Sequence, residues 1–147
     1  MIMRLDNMYR KIIITHTVWK EIEITIGNIN PEAGGILGKR NEKIEAYYFD
    51  RTGVFLEDKY IPDVKQVNRV ITDWTEYGIS FCGFIHSHLL SHKKPSYGDI
   101  EYAKQILRNN GLKKLYLLIY VMNSNDKVLF YELYQNGMVN VLDYEIN

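Results

Sequence analysis

Two histidines one residue apart, at the end of an apolar run, are the residues of this chain best placed to do chemistry. They lie in Gly83-Phe84-Ile85-His86-Ser87-His88. In a strand, side chains alternate between faces, so His86 and His88 point the same way and two imidazoles converge on one metal ion. Further on, Pro95-Ser96-Tyr97-Gly98-Asp99 carries the Ser-x-x-Asp spacing of a helix start. On that helix Asp99 falls in the arc of Tyr102, Ala103, Ile106 and Leu107, the face expected to pack on a sheet. A carboxylate aimed into an apolar interface is costly unless it is paired or metal-bound. No Lys or Arg shares the arc, whereas the histidine pair supplies a partner through a metal. Two His and one Asp with a fourth position open is a catalytic rather than a structural zinc arrangement.

The elements that must hold these residues follow from periodicity. Ile12-Ile13-Ile14 predicts a first strand. Val18, Trp19, Ile22 and Ile26 recur at helical spacing, with Thr15 and Thr17 as caps and Gly27 as the stop. The alternation in Ile22-Glu23-Ile24-Thr25-Ile26 also suits a strand, but the helix gives the shorter connection. Asn28 to Pro31 reads as a turn. Two strands follow, over 32–38 and 43–50, joined at Lys39 to Glu42, with a third expected over Phe55 to Ile61. Asp63 opens an amphipathic helix with Val64, Val67, Val70, Ile71, Trp74 and Tyr77 on one side and Gly78 past its end.

The His-x-His strand is expected over about 79–88 and the Asp99 helix as far as Asn110, stopped by Gly111. Leu115 to Met122 is apolar enough for a central strand. A turn at Ser124-Asn125-Asp126 leads to a strand over 128–134, and Asn136-Gly137 signals a hairpin into 138–142. The whole is expected to be one α/β domain over 1–147, with a mixed, mostly antiparallel sheet and about three helices.

Composition narrows the function. With 147 residues the chain can bury one proper core but not two, and a 46% hydrophobic content suits a folded protein. Eighteen basic and eighteen acidic residues cancel, leaving no general footprint for nucleic acid, and Lys93-Lys94 is too short a patch to supply one. A single cysteine, Cys82, forms no intramolecular disulfide and fits a reducing compartment. Met1 to Lys20 lacks the apolar core and cleavage site of a signal peptide, and Leu115 to Met122 is too short to cross a bilayer. A cytosolic protein is expected.

At these residues the chain resembles the JAMM metalloproteases, the catalytically active branch of the MPN family. Their pattern is an early-strand glutamate, then His-(Ser/Thr)-His, seven residues, Ser, two residues, Asp. His86-Ser87-His88, Ser96 and Asp99 match that spacing. Glu32 in Pro31-Glu32-Ala33-Gly34-Gly35-Ile36-Leu37-Gly38 matches the upstream glutamate and its glycine-rich strand, and the order of elements agrees over nearly the whole chain. The resemblance implies an MPN fold and hydrolysis at a single zinc held by His86, His88 and Asp99. It makes Glu32 the general base and Ser96 the oxyanion donor. It implies cutting of isopeptide or peptide bonds after the C-terminal glycines of ubiquitin or a ubiquitin-like protein. It also implies activating and conjugating enzymes as neighbouring partners. Where the family has proline after the second histidine this chain has Leu89, which bears on the shape of the 89–94 loop. No long insertion is visible, so the chain resembles compact bacterial-type members.

Other readings compete at single residues. Ser-x-x-Asp is also a capping box, so Ser96 has two roles to reconcile. Glu32 alone reads as a turn glutamate, and its role as base rests on the resemblance. Ser87 faces away from the ligands and is expected to tie its strand to neighbouring backbone. His92 reads as a loop residue. Cys82 shares strand parity with His86 and reads as a small buried hydrophobe. Trp19 and Trp74 are expected in the core, and Gly34, Gly35 and Gly38 where backbones approach closely. The alternatives to the protease are a non-catalytic MPN scaffold binding partner proteins, or a zinc hydrolase of a small amide or sulfur-carrier adduct.

Overall fold

The computed structural model describes residues 11–28, 32–56, 59–88, 95–121 and 128–147. The readings of Leu89, His92, Lys93-Lys94 and the Ser124 to Asp126 turn, and residues 29–31 of the first turn, lie outside them. Eight strands form one mixed sheet in the order β10-β1-β3-β2-β6-β7-β8-β9. They are β1 (Ile12–Ile14), β2 (Gly34–Arg40), β3 (Lys43–Phe49), β6 (Ser80–His88), β7 (Lys114–Val121), β8 (Val128–Tyr134), β9 (Val139–Leu142) and β10 (Tyr144–Ile146). The β1–β10, β1–β3 and β6–β7 pairs are parallel, and the other four are antiparallel. Asp143 alone separates the two edge strands in sequence, so the sheet is rolled nearly shut. That last strand, β10, carries no signal strong enough to anticipate it.

The helices are α1 (His16–Ile24), α2 (Val64–Glu76) and α3 (Tyr97–Asn110). The α1 start is the expected one: the Thr15 hydroxyl accepts the Val18 N–H at 3.3 Å. Its end comes earlier than Gly27, because Thr25 turns the chain and donates its hydroxyl to the Glu21 carbonyl at 2.6 Å. Asp63 caps α2 by accepting the Gln66 N–H. The apolar stripe of α2 is covered at its middle, where Val67 is buried and Trp74 lies over the Gly38 Cα. At its ends the stripe is open, with Val64 and Tyr77 exposed. Gly111, in the left-handed region at φ 62°, stops α3 as expected.

Two cores lie on the two faces of the sheet. Val18 and Ile22 of α1 pack with Leu37, Ile85, Leu118 and Phe130 on one face. Ala103 and Leu107 of α3 pack with Leu115, Leu117, Ile119 and Phe84 on the other. Strand alternation sends Ile85 to the first face and Phe84, His86 and His88 to the second. Cys82 departs from its expected parity. Leu37 pairs with Gly83 but Gly38 with Phe81, so Cys82 is the extra residue of a β-bulge. The bulge turns Cys82 into the α1 core, where burial pushes its thiol up to about 12.

The expected single strand over Phe55 to Ile61 is instead a hairpin, β4 (Val54–Leu56) and β5 (Lys59–Ile61), forming a sheet of its own. In the sequence, Glu57 and Asp58 interrupt the apolar run. Phe55 and Tyr60 face inwards, with Phe55 packed between Phe49 and Tyr60. Val54, Leu56 and Ile61 are exposed on the other side.

Candidate metal centre

The three ligands expected from spacing meet at the C-terminal end of β6 and the first turn of α3. Among the described residues, His86, His88 and Asp99 are the only three or more His, Cys, Asp or Glu side chains offering ligand atoms within 4.8 Å of one another. His86 Nε2 stands 3.3 Å from Asp99 Oδ1, and His88 Nε2 stands 3.6 Å from Asp99 Oδ2. The imidazoles lie side by side with ring centroids 4.5 Å apart. His88 is buried and the other two are half-buried.

Asp99 is held ionised. Burial raises its pKa, but the hydrogen bond and charge of His86, the Ser96 amide and the charge of His88 outweigh it and hold the carboxyl at about 2. A carboxylate kept anionic beside two imidazoles is a donor set suited to a divalent metal ion.

Ser96 is the α3 N-cap, and the capping box is complete. Its hydroxyl oxygen accepts the Asp99 N–H at 3.0 Å, and Asp99 Oδ2 accepts the Ser96 N–H at 2.8 Å. The two readings of Ser96 are therefore compatible, because the hydroxyl serves the cap as an acceptor and keeps its proton for donation.

Glu32 lies two residues before β2, on the stretch that leads into it. Gly34 pairs with His86, and Ala33 pairs with Ser87 through the Ser87 N–H to Ala33 carbonyl bond of 3.0 Å. The ladder ends there, and Glu32 lies one residue beyond Ala33, next to the strand that carries the two histidines. Its carboxylate is not one of the close metal-binding group, and its N–H donates to the Leu56 carbonyl at 2.8 Å. Ser87 does what its parity suggests: its buried hydroxyl accepts the Ala33 N–H at 3.0 Å and locks β6 to the chain beside Glu32.

Behind these residues sits a group that the sequence reading passed over. Asp50, fully buried, accepts the Tyr60 hydroxyl at 2.6 Å and the Asp63 N–H at 2.9 Å, both on Oδ2. Asp50 N–H donates to the Gly34 carbonyl, so Asp50, Gly34 and His86 form one row across three strands. The Tyr60 ring occupies the space a side chain at Gly34 would need, since a Cβ there would fall 2.2 Å from Tyr60 Cε2. Burial and then Asp50 raise the Tyr60 phenol pKa far above its ordinary value. The one sequence signal is an acidic residue closing the aromatic run Tyr47-Tyr48-Phe49.

No protein-family model matches the chain, and no curated protein matches it. Among solved structures, it is similar to the solution structure of protein DSY2949 from Desulfitobacterium hafniense. Identity is 20%, the TM-score is 0.68, and the match covers 92% of each chain. At that identity the likeness establishes a shared fold and carries no function. No helix among the described residues is long and apolar enough to cross a membrane.

Proposed function

We propose that this chain has an MPN fold and is a zinc-dependent hydrolase of the JAMM type. Its substrate is the amide bond that follows the C-terminal Gly-Gly tail of a ubiquitin-like protein. The observation that carries the reading is the convergence of His86, His88 and Asp99 beside the Ser96 hydroxyl, whose oxygen accepts the Asp99 N–H. Zinc fits this donor set. Two imidazoles and a carboxylate are donors that zinc takes, and here they stand close together, with His86 Nε2 3.3 Å from Asp99 Oδ1 and His88 Nε2 3.6 Å from Asp99 Oδ2.

When bound there, zinc supplies Lewis acidity and a water of lowered pKa. The chain's own residues do the rest. Glu32 takes the proton of the attacking water and returns it to the leaving amine. The Ser96 hydroxyl donates to the carbonyl oxygen as negative charge develops on it, an interaction that strengthens towards the transition state. The Ser96–Asp99 cap holds donor and ligand at the start of α3, and the Ser87–Ala33 bonds tie β6 to the chain beside Glu32.

The test is cleavage of a ubiquitin-like protein fused through its Gly-Gly tail to a reporter amine, with metal analysis and a Glu32→Gln variant alongside. Chelator-sensitive cleavage that disappears in Glu32→Gln, with zinc retained, is the expected result. Full activity in Glu32→Gln overturns the base assignment. Zinc bound without cleavage overturns the substrate, and a chain that takes up no zinc is a scaffold, not a hydrolase.

A further inference from the structure

A fully buried carboxylate with one oxygen unmatched needs a reason to be there. Asp50 is such a residue: both donors within reach fall on Oδ2, while Oδ1 has no hydrogen-bond partner among the described residues. The two donors belong to the excursion between β3 and α2. Tyr60 lies on β5, and Asp63 is the N-cap of α2. The same excursion is gathered in by the Gly53 N–H on the Asp50 carbonyl at 3.2 Å and by the Thr52 hydroxyl on Asp63 at 2.6 Å. One carboxylate oxygen thus closes a loop that carries β4 and β5.

In the described residues β4 and β5 pair only with each other, and no strand of the main sheet extends to them. Their inward contacts are Phe55 on Phe49 and the Tyr60 ring over Gly34. Yet β4 makes one bond that matters to the site, the Leu56 carbonyl accepting the Glu32 N–H. Glu32 stands just outside the ladder, two residues before β2 begins, where strand pairing no longer fixes its backbone.

We propose that Asp50 and Tyr60 are the positioning pair for Glu32: they staple the β4–β5 hairpin against β2 and so fix the Leu56 carbonyl that anchors the Glu32 backbone. Neither residue touches substrate or metal. They set where the Glu32 backbone enters β2 beside the centre. The inference rests on the hydrolase reading for what Glu32 does, but not for how it is held. A displacement of about 1 Å at a catalytic group costs on the order of a hundredfold in rate, so a loosened staple is felt in turnover before it is felt in binding.

The test uses the full chain loaded with zinc, with Tyr60→Phe as the main variant. It deletes one hydroxyl and leaves the ring on Gly34. Hydrogen exchange at the Glu32 amide is expected to speed at least about tenfold, with no change at the Ser87 amide, whose bond to Ala33 belongs to the neighbouring ladder. Zinc content is expected to hold, with kcat falling about tenfold or more and KM staying within about twofold. Asp50→Ala is expected to repeat the exchange pattern. Asp50→Asn, whose amide oxygen can accept both donors, is expected to restore Glu32 protection. Unchanged exchange at Glu32 in Tyr60→Phe overturns the inference, and so does equal acceleration at Glu32 and Ser87, which marks general loosening. If the wild type cleaves nothing, the hydrolase reading falls, and the exchange comparison still decides the staple by itself.

Discussion

Ser96 and Asp99 each accept the other's backbone N–H, so one reciprocal pair both starts α3 and sets the carboxylate of the candidate metal centre. The Asp99 side chain divides its oxygens accordingly. Oδ2 serves the cap and lies near His88, while Oδ1 faces His86. The positive end of the helix macrodipole adds to the preference for a carboxylate at this position. A ligand fixed by the start of a helix is preorganised before any ion arrives.

Ser96→Ala separates the cap from the proposed oxyanion contact of the serine. Losing an N-cap side chain costs about 1 kcal/mol of stability, which denaturant unfolding reads directly. Losing one oxyanion donor costs on the order of a hundred- to a thousandfold in kcat. Zinc content is expected to stay at one ion per chain, because all three ligands remain. A Ser96→Thr variant, which keeps both acceptor and proton, is expected to recover most of both losses. If Ser96→Ala loses stability but no activity, the serine is a cap only.

The lowered pKa of Asp99 makes a prediction about the metal-free protein in acid. The unfolded carboxyl titrates near 3.9, and the folded one at about 2. A depressed folded pKa means that the carboxylate contributes stability above the unfolded value, and that this is lost as pH falls through the folded one. The urea midpoint of the metal-free wild type should therefore fall between about pH 4 and pH 2 by more than that of Asp99→Asn. Parallel curves for the two proteins would remove His86 and Ser96 as stabilisers of the charge.

Much of this site was legible because its signals are local. His-x-His in an apolar run fixes a strand and a face, and Ser-x-x-Asp fixes a helix start, with no tertiary information needed. Thr15, Asp63 and Gly111 marked helix ends for the same reason. What escaped depends on partners far apart in the chain. Cys82 left its parity because a bulge against β2 inserts one residue, which alternation alone does not register. The run from Phe55 to Ile61 has strand composition, and whether it is one strand or two depends on Phe49, Asp50 and Gly34 beneath it. The edge strand β10 exists because β1 lies open to it, a fact of sheet order and not of three residues. Likewise, Asp50 reads as an ordinary strand end until Tyr60 and Asp63 are folded onto it.

Zinc should stabilise the fold through these three ligands and no others. An ion present at a hundred times its dissociation constant adds about 2.7 kcal/mol to a protein that binds it only when folded. The wild type is thus expected to gain several degrees in Tm on adding zinc to the metal-free protein. His88→Ala and Asp99→Ala should gain little, and Glu32→Gln should gain as much as the wild type. A zinc shift that survives Asp99→Ala would place the ion elsewhere.

Gly34 offers the sharpest test of the packing behind the centre. A methyl group there would fall 2.2 Å from the Tyr60 ring, and the ring is held from its far end by the bond to Asp50. It cannot slide away without breaking that bond, and the row from Asp50 through Gly34 to His86 leaves the strand little freedom to yield. Overpacking of this kind typically costs about 1–3 kcal/mol, so Gly34→Ala should lower the unfolding free energy by that order. Tyr60→Ala removes the obstacle and brings its own cost in lost burial. If the clash is with the ring, the double variant Gly34→Ala/Tyr60→Ala should be less destabilised than the sum of the single changes, a coupling that a double-mutant cycle measures. Strict additivity would mean that the glycine is needed for its backbone and not for the space above it.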